Sequence, residues 1–171
     1  MTIQLVELSV NAMQALLSGD LAGASAAAGV RLTDYFIGDS SIWLWRIRVD
    51  QIRRDPTSAS WVARAVVDQE TGLVIGHAGF HGPPDAVGMV EVGYSVDPRY
   101  RRRGHARQML AALIGRARTE PQVRIVRASI SPDNAASLAT VAGFGFSQVG
   151  EQWDDEDGLE LIFELPLEAA A

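Results

Sequence analysis

The chain of 171 residues contains no cysteine, and all fifteen of its basic residues are arginine. Without cysteine there are no disulfides, no thiolate metal ligands and no thiol able to carry an acyl group between substrates. Without lysine there is no G-x-x-x-x-G-K-[ST] phosphate loop, and no G-x-G-x-x-G follows a strand, which excludes both common nucleotide fingerprints. No apolar run approaches the ~20 residues that span a bilayer, so no membrane association is expected. The start, Met1-Thr2-Ile3-Gln4, lacks a basic stretch followed by an apolar one. No signal peptide is expected from it, and the cytoplasm is the expected compartment. His77 and His81 lie four apart with no nearby cysteines or paired carboxylates. Packing or substrate contact is expected of them, and no metal site. Gly93-Tyr94-Ser95-Val96-Asp97 lacks the last glycine of a hydrolase nucleophile elbow, and no helix begins there.

What is present fits one domain with an ordinary apolar fraction of 47%. The net charge is −6, but its distribution is uneven. Arg99, Arg101, Arg102, Arg103 and Arg107 crowd into nine positions, whereas only acidic side chains carry charge beyond Arg127. An acidic chain with one tight basic patch suits a local anion site and not a nucleic-acid surface.

The patterning predicts strands at Gln4–Leu8, Ser60–Val67, Leu73–Phe80, Met89–Val96, Val123–Ser129, Ser147–Trp153 and Leu159–Leu165. Helices are expected at Asn11–Leu17, from an Asp39 cap to Arg54, over Gly104–Arg118, and from Asn134 to Ala142. Leu21–Gly29 reads as helix or loop, and Trp43 and Trp45 are both expected in the core. An acidic turn is expected at Asp154–Gly158. The helix between Met89–Val96 and Val123–Ser129 makes those two strands parallel neighbours. The fold class is therefore α+β, a single mixed, mostly antiparallel sheet with helices on its faces.

Residues 90–107 carry the chemistry. An alternating strand runs into Asp97-Pro98, then an arginine-rich loop, Gly104 and a helix start. Free N–H groups at a helix start, the helix dipole and nearby guanidinium groups together make a phosphate site. Within the strand, Glu91 is a carboxylate in otherwise apolar surroundings. It shares a face with Gly93 and Ser95, opposite Val90, Val92, Tyr94 and Val96.

Arg101-x-x-Gly104-x-Ala106 resembles the [QR]-x-x-G-x-[GA] signature of GNAT superfamily N-acetyltransferases. The preceding Glu91–Arg101 segment is similar to the strand and turn before that signature, and Asn134-x-x-Ser137 followed by Gly145-Phe146 resembles a downstream segment of its RimJ/RimL-like branch. The similarity spans about residues 60–165.

The resemblance implies an acyl-CoA N-acyltransferase fold with splayed central strands. It implies one N-acetyltransferase domain over 1–171, with acceptor-side helices in 1–58 and an acetyl-CoA-binding core in 59–165. Acetyl-CoA is the implied donor. The implied acceptor is a primary amine on a small molecule or a protein N-terminus, attacking directly in a ternary complex. The diphosphate is expected on the amides from Arg102 to Ala106, with Arg101, Arg102, Arg103, Gly104, His105 and Ala106 as the binding loop. The pantetheine is expected near Val96, with Asn134 and Ser137 also at the cofactor. A bulge at Gly93 is expected to open the cleft. Glu91 is the expected base or water relay, because an amine must lose its proton to attack. The tyrosine that many relatives carry seven residues after the Asn is here Val141, which leaves Ser137 as the nearest acid by position. That departure keeps a non-catalytic CoA-binding module as the alternative. Relatives are often homodimers, which is the implied assembly.

Overall fold

The computed structural model describes residues 2–155 and 158–167. Its strands are β1 (Ile3–Glu7), β2 (Arg64–Asp68), β3 (Leu73–Phe80), β4 (Met89–Val96), β5 (Ile125–Ile130), β6 (Ser147–Asp154) and β7 (Gly158–Pro166). The helices are α1 (Val10–Leu17), α2 (Leu21–Ala28), α3 (Asp39–Arg54), α4 (His105–Thr119) and α5 (Ala135–Ala142). The seven strands form one sheet in the order β1-β2-β3-β4-β5-β7-β6. Among the described residues only β4 and β5 pair in parallel. Among the described residues no helix is long and apolar enough to cross a membrane.

Two apolar layers cover the sheet. Leu16, Phe36, Trp45 and Val49 pack under Ala65, Val67 and Val74, so α1 to α3 cover one face. Met109, Leu110, Leu113 and Ile114 of α4 pack on Val66, Ile75, Val90 and Val92 of the other. Each of those α4 side chains is worth about 1.5–3 kcal/mol in burial, which fixes the helix start at the end of β4. The β2–β3 register shifts between Val66 and Val67. The shift puts Val74 and His77 on the α3 side, and Ile75, Ala78 and Phe80 on the α4 side.

Several sequence expectations need correction. Asp39 is the first residue of α3 and not its cap; Gly38 holds that position without a side-chain bond. Trp45 is fully buried and donates from Nε1 to the Phe36 carbonyl at 2.7 Å, but Trp43 is 46% exposed. Trp43 and Trp45 lie two positions apart, and a helix turns such positions to opposite sides. β2 starts at Arg64 because Pro56–Ser60 is a 3-10 turn, capped by Asp55 accepting from the Thr57 N–H at 3.0 Å. The β3–β4 register runs through Gly79↔Gly93 without a shift, so Gly93 is not a bulge. Instead the His81 ring lies over it: a Cβ at Gly93 would stand 3.0 Å from His81 Nε2. Glu156 and Asp157 of the acidic turn lie outside the described residues.

His77 is caged by aromatic rings. It stacks on Tyr35 at 5.6 Å and meets the Trp45 ring edge-on at 5.0 Å. Burial, with a smaller push from Arg48, lowers its pKa from 6.5 to about 4. The unfolded chain therefore takes up this proton first as pH falls. Stability from this group is complete above pH 6.5 and declines toward pH 4, by up to about 3 kcal/mol. Urea unfolding at pH 7, 5.5 and 4.5 is expected to show that decline, and a His77→Phe variant is expected to flatten it. An equal slope in the variant would place the acid sensitivity elsewhere.

Candidate active site

β4 and β5 pair only at Met89↔Ile125, Val90↔Val126 and Glu91↔Arg127. Beyond Glu91, β4 keeps β3 as a neighbour while β5 continues along β7, so the sheet splits there. A cavity of about 570 Å³ occupies the split. Tyr94, Ser95 and Val96 of β4 form one wall, and Asn134, Ser137 and Thr140 of the α5 segment form the opposite one. Arg101, Arg102, Gly104, His105, Ala106 and Arg107 close its end.

That end is built to receive an anion. Asp97, only 2% exposed, accepts from Arg99 and so pins the turn after β4. Arg99 is consumed there and by Asp34 at 2.7 Å, leaving the following arginines to face outward. Arg102 and Gly104 both have positive φ, at 61° and 80°. Gly104 starts α4 with no side-chain cap, and among the described residues the N–H groups of Gly104, His105 and Ala106 meet no acceptor. A Cβ on Gly104 would touch nothing within 4 Å, so the space in front of the helix start is open. Uncapped N–H groups, a helix dipole and guanidinium groups at one point favour a phosphate.

The loop residues divide by role. Arg101 Nε donates to the Val96 carbonyl at 3.1 Å, which ties the loop to the strand end. Arg103 is not on the cavity wall; its guanidinium lies over the Tyr100 ring at 5.9 Å. The His105 ring is 3% exposed and turned toward Gln108 Oε1 at 3.3 Å, so its side chain is structural. Arg107, which the sequence reading did not single out for the site, lines the cavity and stacks over Phe144 at 4.9 Å. Asn134 Oδ1 caps α5 by accepting from the Ser137 N–H at 3.1 Å, leaving its Nδ2 donors for another partner.

Val141 is 1% exposed and faces the core, so no acid can act from its position. A hydroxyl-bearing residue that the sequence did not single out, Tyr94, lies on the cavity wall. Tyr94 lies against the Ser137 and Thr140 hydroxyls, and burial raises its pKa above the usual phenol value. Its spacing in β4 marked it only as core, because a tyrosine on an apolar strand face is indistinguishable from packing.

Tyr94 also lines a second, smaller cavity of about 110 Å³ on the α3 side, together with Arg48, His77, His81 and Gly93. Glu91 lines neither cavity. Its Oε2 lies 3.7 Å from His81 Nδ1, beyond direct hydrogen bonding but within reach of one water. Burial lowers the His81 pKa, Glu91 opposes the shift, and Arg48 adds to it. His81 is therefore biased toward its neutral form, which can accept a proton. Among the described residues no group of three potential ligands gathers for a metal ion.

Residues 27–147 match the acetyltransferase (GNAT) domain family. The uncharacterised N-acetyltransferase YjdG of Bacillus subtilis is 31% identical over 87 residues, which is 51% of this chain and 50% of that protein. The chain thus matches about half the length of that curated relative. The ribosomal L7/L12 alpha-N-protein acetyltransferase RimL, solved with coenzyme A, superposes with a TM-score of 0.67 at 16% identity, covering 99% of this chain and 97% of that one. A microcin C7 self-immunity acetyltransferase solved with acetyl-CoA and AMP superposes at 0.65 and 13% identity, covering 97% and 93%. Both therefore share the overall fold of this chain. The family match spans most of the sheet and the whole loop around Gly104, and the chain belongs to the GNAT acetyltransferase family.

Proposed function

We propose that the chain is an N-acetyltransferase of the RimJ/RimL-like branch, transferring acetyl from acetyl-CoA to a primary amine by direct attack in a ternary complex. The observation that carries this reading is the meeting, in one cavity, of an open helix start, arginines with no ion pair among the described residues and the free edge of β4, with Tyr94 lining both this cavity and a second. The diphosphate rests on the amides from Arg102 to Ala106, with Arg101, Arg102 and Arg107 around it and Arg103 at the rim. Val96, Asn134 and Ser137 flank the pantetheine. Residues 59–165 form the donor side, and helices within 1–58 form the acceptor side.

Acetyl-CoA supplies the thioester and the thiol leaving group. The amine loses its proton to Glu91 through His81 or a water, and its lone pair attacks the thioester carbon. Amide N–H groups of β4 that lack a β5 partner stabilise the oxygen as charge develops. As the C–N bond forms, the nitrogen sheds its surplus proton along the same path; the C–S bond breaks, the sulfur leaves with the electron pair, and solvent restores the proton that the acid gives up. Tyr94, which keeps its proton at neutral pH, donates to that sulfur. Ser137 supports it from α5.

The reading is tested by following free thiol on mixing the protein with acetyl-CoA and a panel of primary amines. Amine-dependent release is expected. Coenzyme A binding by calorimetry with no release across the panel would favour the non-catalytic module. A Tyr94→Phe variant is expected to lower kcat by about 3- to 10-fold with CoA affinity unchanged, since a thiolate leaves tolerably without a full proton. An unchanged kcat would remove Tyr94 from the reaction.

A further inference from the structure

α3 carries Arg48 into the wall of the smaller cavity. Its Nη1 donates to Gln51 Oε1 at 2.8 Å and to the His81 carbonyl at 3.1 Å. Gln51 Nε2 donates to that same carbonyl at 2.7 Å, so two side chains of α3 hold the His81 backbone. Both contacts of Arg48 are neutral. Among the described residues no carboxylate lies at ion-pair distance from Arg48. Burial weakens its hold on its proton, and the Glu91 carboxylate, which lies beyond ion-pair distance, offsets this only in part.

Arg48 also lines an outer groove of about 470 Å³ that Gln51, Arg54 and Pro83 help to form. Arg54 is likewise without an ion pair among the described residues. Asp55, the acidic residue of the groove, is occupied by Thr57 and Ser58. Arg48 thus stands at the boundary between the groove and the cavity that holds His81. An amine seated at His81 would share the cavity with this guanidinium, and a second one lies farther out in the groove.

We propose that the acceptor is a free amino acid, its α-carboxylate held by Arg48 and its amine presented to His81 and Glu91. This rests on the acetyltransferase reading. The carboxylate takes no part in the bond changes, so the product is the N-acetyl amino acid and coenzyme A. The inner cavity, of about 110 Å³, is small beside the outer groove of about 470 Å³ that shares Arg48 with it. A polyamine would set its second cation against Arg48 and Arg54, which is unfavourable at close range. A guanidinium pairs a carboxylate in two-pronged fashion, and the negative charge and the second acceptor are lost when the carboxylate becomes an amide.

The test compares kcat/KM by thiol release for free amino acids, their α-carboxamides, short peptides and spermidine. The expected result is a preference of roughly 10- to 100-fold for each reactive acid over its own amide. Arg48→Gln is expected to bring that ratio close to one, mainly through KM, with coenzyme A binding intact; Arg48→Lys is expected to restore part of it. Amides, peptides or spermidine used as well as the free acids by the unaltered protein would overturn the assignment while leaving the acetyltransferase intact. So would an acid-to-amide ratio that survives Arg48→Gln. Absence of thiol release with every amine, despite coenzyme A binding, would overturn the acetyltransferase reading itself.

Discussion

Glu91→Gln is expected to lower kcat by about 10²- to 10³-fold while the dissociation constant for coenzyme A changes less than about threefold. The substitution keeps the size and the strand, and Glu91 lines neither cavity, so donor binding has no reason to change. What it removes is the charge 3.7 Å from His81 Nδ1. In the parent chain that charge favours the imidazolium against the opposing effects of burial and Arg48. Without it, a proton taken from the amine has no counter-charge, and the cost falls on the transition state. The sign of the pH effect follows. The acidic limb of kcat/KM is expected below pH 6.5, because the His81 pKa is lowered, and it is expected to move lower still in Glu91→Gln. Replacing His81 by Asn should cost about as much as Glu91→Gln, and the double variant little more, since the two act as a unit. Stopped-time thiol release across pH measures all of this. Additive losses would break the pair into independent contributions, and an acidic limb that stays in place would remove Glu91 from the proton path.

The sheet was legible because its residues obey one rule at a time. The glycine-containing turn before it located β3, alternation located β4, and the 3.6-residue stripe from Met109 to Ala117 located α4. The loop around Gly104 was legible for the same reason: an arginine cluster and a glycine at a helix start have one chemical meaning. Features that depend on distant partners were not legible. The split between β4 and β5 arises where β5 stays with β7, not from Gly93, whose small size accommodates the His81 ring. Arg48 and His81 are thirty-three positions apart and become neighbours only because α3 lies across the end of β3. Tyr94 and Arg107 reach the larger cavity from positions whose spacing reads as packing or as helix surface. Ser60–Val67 was misread at its start because apolar Trp61, Val62 and Ala63 are buried without being strand. Burial and periodicity coincide in regular elements and separate in turns.

The helix start at Gly104 can be blocked without disturbing the fold, and Gly104→Asp is expected to weaken coenzyme A binding by at least about 100-fold. Space is not the obstacle, since nothing lies within 4 Å of a Cβ at this position. The backbone cost is modest: φ is 80°, and aspartate enters the left-handed region more readily than most residues, at roughly 1–2 kcal/mol. The new carboxylate, however, occupies the place where a diphosphate would meet the N–H groups of His105 and Ala106. It competes for the same donors and repels the ligand, and like charges so placed cost several kcal/mol. A hundredfold change corresponds to about 2.7 kcal/mol, well inside that range. Gly104→Ala separates the contributions, because it carries the backbone cost and a methyl group but no charge; about tenfold or less is expected of it. Added salt should recover part of the loss in the aspartate variant and little in the alanine one. Calorimetric titration with coenzyme A, alongside thermal melts to confirm the fold, reads these effects. Equal affinity in Gly104→Asp and the parent chain, with both folded, would mean that the diphosphate does not bind at the start of α4, and the donor site would have to be sought elsewhere.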